Sequence, residues 1–191
     1  TDWNRTYIEG SSWQCGFAVP HDPEGLIGLF GGPAATVARL DRMLEAPPDF
    51  QTGAYGKEIH EMAEMALAGF GQYAHSNQPV HHVLWLYTLA GARGKAAAAI
   101  RRVTEGLYTP DTLPGDEDNG EMSGWYVFAQ MGFYPFCPGR PEYVLAAPQH
   151  PMRVRLGSGK TLELAPGSAG TARTISHSEL LAGGKIQELH P

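Results

Sequence analysis

The sequence predicts a mainly α fold: successive amphipathic helices followed by a tail of short antiparallel strands. Three observations carry this. Apolar residues recur at helical spacing in five segments between residues 36 and 131; from Gly132 onward the texture changes to short alternating or β-branched runs; and the proline-rich stretch at 135–141 (PFCPGRP) stands between the two. A boundary near residue 140 follows, with one unit over 1–140 and a β-strand tail over 141–191.

The elements are expected in this order. Residues 1–33 carry loop punctuation throughout (EGSSW, VPHDPEG, FGGP), with a single turn at 26–30. Residues 36–45 place Val37, Leu40, Met43 and Leu44 on one helical face, and residues 57–70 do the same with Ile59, Met62, Met65, Ala66 and Phe70. Residues 83–90 and 95–107 read as two further helices, the second opening on the strong helix formers KAAAAIRRV. The segment from Glu121 to Met131 is almost wholly apolar after its first turn and is expected to be buried on most sides. Such a series suits a double layer with buried inner helices, or an ordinary helical bundle. In the tail, EYVLAA, MRVRL and KTLEL read as strands, the last two joined by the hairpin signal Gly157-Ser158-Gly159. Residues 174–177 and 185–187 add two short strands around a turn at 182–184.

The chain of 191 residues is 42% hydrophobic, enough for a packed core. Its net charge of −6, with 14 scattered basic residues, argues against a nucleic-acid groove or an anionic membrane surface and favours a neutral or cationic ligand. No apolar run approaches the roughly 20 residues of a membrane span, and the opening TDWNRTYIEG has neither the basic nor the apolar region of a signal peptide. Cys15 and Cys137 lie in no metal-ligand spacing and read as small buried apolar residues, with a single bridge as the alternative.

Three consecutive carboxylates, Asp116, Glu117 and Asp118, precede the apolar helix. A helix N-terminus stabilises an ionised carboxylate, so Asp118 has a capping reading. Asp116 and Asp118 are also two apart, and in an extended loop they would point the same way, which calls for a cation or a shared proton. Capping and a catalytic or metal role therefore both stay open. The EF-hand pattern fails at Gly120. His60 and Glu61 share a helix, and His75, Asn77, Gln78, His81 and His82 crowd around Pro79. HEMAEM is not HExxH, so zinc is weakly supported; of His81 and His82, one is expected packed and one exposed. Asn77 and Gln78 suit a hard cation such as calcium, or are turn residues ahead of Pro79. Trp13 and Trp125 read as core before sugar platforms.

Four stretches, YIEGSSWQ (7–14), VPHDPEGLIGLFGG (19–32), SNQPVHH (76–82) and LPGDEDNGEMSGWYVFAQMGFYPFCPG (113–139), resemble in order and spacing glycoside hydrolase family 92, the calcium-dependent inverting exo-α-mannosidases. The likeness continues through PEYVLAAP and ISHSELLAGGKI. It implies a partial (α/α)6 barrel followed by strands that pack near an N-terminal β-sandwich absent from this chain, a missing portion of the same enzyme whose place would be marked by exposed apolar surface. The resemblance also suggests a secreted or periplasmic setting. By position, it implies that Glu9 is the general acid, Asp118 the general base and Asp116 its partner, that His60 and Glu61 hold the terminal mannose of an α-mannoside or mannose-rich glycan, and that Asn77 and Gln78 bind Ca2+. Inversion then asks for carboxyl groups roughly 6.5–9.5 Å apart in unlike environments. Two departures stand out: many members have Glu where Gln78 stands, and an aromatic and a basic residue where Cys15-Gly16 stands. The alternatives are a non-catalytic carbohydrate-binding fragment and a fragment inactive in isolation.

Overall fold

The computed structural model describes residues 1–3, 5–166 and 172–186. It is rich in helix with short strands at the C-terminal end, as the sequence predicts. The helices are α1 (Ser12–Cys15), α2 (Pro23–Leu29), α3 (Pro33–Glu45), α4 (His60–Ala68), α5 (Leu86–Leu89), α6 (Arg93–Leu107), α7 (Glu121–Met131) and α8 (His177–Ala182). Short 3-10 turns at Gly53–Tyr55, Gln78–Val80 and Val83–Trp85 intervene.

Local chemistry explains where these elements begin. Asp22 caps α2, its carboxylate accepting the Gly25 N–H at 3.0 Å, with Pro23 at the first helical position, where its missing N–H costs nothing. Ser11 with Gln14, and Ser176 with Glu179, form reciprocal capping boxes that start α1 and α8. The region read as loop over 1–33 therefore holds two capped helices, and the strand expected over 174–177 ends at Ser176, because His177 opens α8. Helix α4 is shorter than the 57–70 expectation, since Gly69 turns left-handed and closes it.

The main core is built around residues 83–90, every one of them buried. Leu40 and Met43 of α3, Ala96, Ala99, Ile100 and Val103 of α6, and Trp125 and Ala129 of α7 pack with this segment in one cluster. Each large apolar side chain fully removed from water contributes about 1.5–3 kcal/mol. Segment 83–90 is thus the inner element, and amphipathic α3 and α6 lie outside it. Helix α7 corrects the expectation of burial on most sides: it buries Met122, Trp125 and Ala129, while Val127 is 52% and Tyr126 36% exposed. Its apolar circumference exceeds what the described residues cover. Ile8, Leu29 and Leu67, on three other segments, are also largely exposed.

Among the described residues the C-terminal end forms two three-stranded sheets, the first of which takes in a strand from before residue 140. In the first, β1 (Phe133–Tyr134), β2 (Glu142–Leu145) and β5 (Thr174–Ser176) run antiparallel, with Phe133 opposite Leu145 and Tyr143 opposite Ile175. In the second, β3 (Met152–Arg155) and β4 (Thr161–Leu164) form the expected hairpin, with Gly159 at positive φ. The short strand β6 (Gly184–Lys185) joins β4 in parallel, so the tail is not wholly antiparallel. The rest of the strand expected at 185–187 extends to Gln187, outside the described residues. Side chains from the helices tie the tail down: Thr88 donates to the Leu145 carbonyl at 2.8 Å, and Arg93 to those of Ala146 and Ala172. Both cysteines are free; Cys137 is buried and Cys15 half-buried.

Candidate active site

All seven candidate residues are brought to one place by contacts between three loops and the start of α4. The loop before α1 is anchored from behind. Buried Gln14 accepts the Ser11 N–H and hydroxyl at 2.8 Å each and donates to the Gln72 carbonyl at 2.6 Å. This holds Gly10 inside and leaves the Glu9 side chain exposed at the rim. Glu9 itself is gripped through its main chain. Its N–H donates to the Tyr55 hydroxyl at 3.3 Å, and its carbonyl accepts the Asn77 side-chain amide at 2.8 Å.

Asn77 is 5% exposed and precedes the 3-10 turn that contains Pro79. Its neighbour Gln78 faces the other way. The Gln78 amide donates to Oδ2 of Asp118 at 2.6 Å and, more weakly, to the Asp116 carbonyl at 3.4 Å. The dipeptide Asn77-Gln78 therefore connects the Glu9 loop to the Asp118 loop. Asp116 turns toward α4, its Oδ2 lying 3.9 Å from Nε2 of His60. His60 also meets Glu61 at 3.2 Å and Glu64 at 3.2 Å. Partial burial works against charging His60, but the Glu64 hydrogen bond and the charges of Glu61, Glu64 and Asp116 outweigh it and raise its pKa above the ordinary value. Glu61 Oε2 is buried and has no donor among the described residues, an arrangement that a hydroxyl-bearing ligand would relieve.

The backbone at this cluster is unusual. Among the described residues, the non-glycine positions with positive φ are Glu9 (53°), Asp118 (47°) and Asn119 (59°). A left-handed conformation costs an ordinary L residue about 1–2 kcal/mol, and Asp and Asn less. Such strain persists only where the surroundings impose it, and it collects at functional positions. The loop carrying Asp116 and Asp118 is also pressed onto the Asn77 segment. Gly115 has φ +92°, and a Cβ there would lie 2.4 Å from the Ser76 carbonyl oxygen. Gly115→Ala is therefore expected to cost about 2 kcal/mol or more. A lower melting temperature would check this; an unchanged transition would mean that the loop moves freely away from Ser76.

The three carboxylates divide their work differently from the capping expectation. Glu117, not Asp118, caps α7: its side chain accepts the N–H groups of Gly120 and Ser123 and the Ser123 hydroxyl. Asp118 is left-handed, so the extended-loop picture with Asp116 and Asp118 side by side does not hold; one reaches Gln78 and the other faces His60. Sequence reasoning passed over Glu117 because all three acids precede the same helix.

The histidines behind the site are structural. His75 is buried between the hydroxyls of Tyr73 (2.9 Å) and Tyr108 (2.8 Å), and burial, aided by His81, pushes its pKa well below the ordinary value. His81 bonds Glu121 at 3.1 Å and the His75 carbonyl at 3.1 Å, and His82 meets the Phe17 carbonyl at 2.8 Å. Both of the paired histidines are packed, which corrects the expectation of one exposed ring. Trp125 is 1% exposed and donates to the His81 carbonyl at 2.9 Å, a core role; Trp13 is half-buried against the same core. Among the described residues no group of three His, Cys, Asp or Glu side chains is arranged to hold a metal. The amide oxygens of Asn77 and Gln78 have the hard-donor chemistry of a calcium site, although both amides now serve as N–H donors. A cavity of about 560 Å³ opens on the tail around Met152, Glu163 and Lys185 and shares no residue with this cluster.

Comparison with known proteins agrees with this arrangement of motifs. The family model described as the glycosyl hydrolase family 92 catalytic domain matches residues 1–187. An uncharacterized secreted glycosidase of Arthroderma benhamiae is 30% identical over 146 residues, covering 75% of this chain and 16% of the relative. The solved structure of an inverting mannosidase of that family from Bacteroides thetaiotaomicron is 40% identical with a TM-score of 0.73, over 94% of this chain and 27% of that one. An α-mannosidase of the same family and organism, solved in complex with mannoimidazole, is 28% identical with a TM-score of 0.75, over 93% of this chain and 25% of that one. The chain thus spans between a sixth and about a quarter of the length of these relatives, and over that span it belongs to glycoside hydrolase family 92.

Proposed function

We propose that the longer protein containing this chain hydrolyses terminal α-mannosides with inversion, and that this chain carries the general acid, Glu9, and the general base, Asp118. One observation supports this above the others: two acidic residues distant in sequence, both in left-handed backbone, are held on either side of a single dipeptide, Asn77-Gln78. Inversion requires a protonated carboxyl group on one side of the sugar and an ionised one on the other, with room for water between them. Glu9 protonates the glycosidic oxygen as the bond breaks. Asp118 takes a proton from the attacking water through Oδ1, since Oδ2 is engaged by the Gln78 amide. Asp116 lies beside His60 at the start of α4, where His60 and the Glu61 oxygen that lacks a donor among the described residues can bind sugar hydroxyls.

Asn77 and Gln78 would hold Ca2+ through their amide oxygens, and the ion would supply charge to grip sugar hydroxyls. Calcium takes 6–8 oxygens, so two neutral amides leave most of the shell to water, substrate and the rest of the longer protein. In this chain both carboxyl groups are exposed. Burial here does not create the unlike environments of acid and base, and for that reason turnover is assigned to the longer protein. The test is stereochemical. Proton NMR of an α-mannoside digest by the full-length enzyme should show β-mannose as the first sugar released, before mutarotation; α-mannose first, or no release, would overturn the reading.

A further inference from the structure

We propose that Glu117 is a positioning residue for the base: its carboxylate locks the left-handed turn that carries Asp118. This rests on the assignment of Asp118 as base. The chain enters α7 through three consecutive residues at positive φ, Asp118 (47°), Asn119 (59°) and Gly120 (96°). Two successive non-glycine residues of that hand crowd their side chains against the following carbonyls, a cost that Asp and Asn lower but do not remove. The usual devices are missing here, since the N-cap position is Gly120 and has no side chain with which to cap the helix. Glu117 takes over this function from three residues upstream. Its Oε2 accepts the Gly120 N–H and its Oε1 accepts the Ser123 N–H at 3.1 Å and the Ser123 hydroxyl. Its own carbonyl accepts the Met122 N–H at 3.3 Å, while the Asp118 carbonyl accepts the Glu121 N–H at 3.3 Å. The side chain thus spans the turn from its first residue to the first turn of the helix, with Asp118 inside the span.

Two further observations support the lock. The Ser123 hydroxyl, together with the amides of Ser123 and Gly120, holds the Glu117 carboxyl below the usual carboxylate range, which favours the charged form that accepts all three bonds. Helix α7 is itself a fixed reference, anchored by Trp125 on the His81 carbonyl and by Glu121 on the His81 ring. Clamping the turn to α7 therefore clamps Asp118 against the Gln78 amide. Catalytic geometry of this kind is sensitive to displacements of about 1 Å, which cost on the order of 100-fold.

The test uses the full-length enzyme and the variants Glu117→Gln, Glu117→Ala and Ser123→Ala, with Asp118→Asn measured beside them. Kinetics are taken with a methyl α-mannoside and with a 2,4-dinitrophenyl α-mannoside. A displaced base should lower kcat about 10- to 100-fold for Glu117→Ala, with KM within about threefold of wild type. The loss should be similar for both substrates, because an activated leaving group replaces the acid and not the base. Glu117→Gln, which keeps one acceptor oxygen, should recover part of the rate, and Ser123→Ala should fall between it and wild type. Equal kcat for wild type and Glu117→Ala, or a loss confined to the poor leaving group, would overturn the proposal. A loss that disappears on cooling in step with the melting curve would reduce Glu117 to a stability role. If Glu117→Ala does not fold, the unaltered fold and reduced kcat expected of Ser123→Ala carry the test, and a wild-type kcat there overturns it. Should Asp118→Asn retain turnover, the assignment of the base fails instead, and the two failures are told apart.

Discussion

Asp118→Asn in the full-length enzyme should lower kcat for α-mannosides about 1,000-fold while leaving KM and the melting temperature near their wild-type values. The substitution is chosen because asparagine has the same shape and tolerates the left-handed backbone that Asp118 adopts at φ 47°. Its amide oxygen can still accept the Gln78 N–H that now reaches Oδ2 at 2.6 Å. The loop is therefore expected to keep its place, and what disappears is the capacity to take a proton from water. That loss is independent of the leaving group. Steady-state kinetics with substrates of low and high leaving-group ability, beside thermal unfolding, would check it, and turnover within a few-fold of wild type would remove Asp118 from the base role.

Glu9→Gln should behave differently. The contacts that hold residue 9 among the described residues are made by its main chain, through the Tyr55 hydroxyl and the Asn77 amide, so an uncharged side chain of the same length leaves them intact. Proton donation to the glycosidic oxygen is lost. For a methyl or sugar leaving group, kcat should fall by about 100- to 10,000-fold. For a dinitrophenolate, which leaves without protonation, the loss should be small. The alkaline limb of the pH profile should flatten as well, because it reports the acid that has been removed. Equal losses on both substrates would place Glu9 outside the acid role and make it a binding or structural residue. The contrast between the two variants separates acid from base without reference to any relative.

Much of the fold could be read from the residues in order. The period of apolar positions located α3, α6 and α7, and for Glu121–Met131 the bounds match. Glycine spacing located the β3–β4 hairpin. The short helices α1 and α8 were missed although their capping boxes, Ser11 with Gln14 and Ser176 with Glu179, are written in the sequence; four to six residues are too few for a period to be heard. Strand β1 left no signal of its own, because two residues become a strand only when β2 pairs with them.

The candidate site divides in the same way. Motif order pointed to the seven residues, yet their mutual contacts depend on approaches that no spacing reveals, such as the Gly115 backbone pressed against Ser76 and the Asn77 amide reaching the Glu9 carbonyl. Among Asp116, Glu117 and Asp118, composition and helix proximity make all three equal. What separates them is the handedness of the backbone at 118–120, which turns one carboxylate back onto the helix, one toward Gln78 and one toward His60.

The sequence by itself determined the helices with a long apolar period, the hairpin and the chemical identity of the acidic groups, because these depend on residues near one another along the chain. Only the tertiary structure decided which segment is innermost, which carboxylate caps and which is left to react, because burial and backbone hand are imposed by partners far away in sequence. Residues 83–90, buried throughout, and Glu117, engaged with Gly120 and Ser123, are the two places where that distinction is plainest.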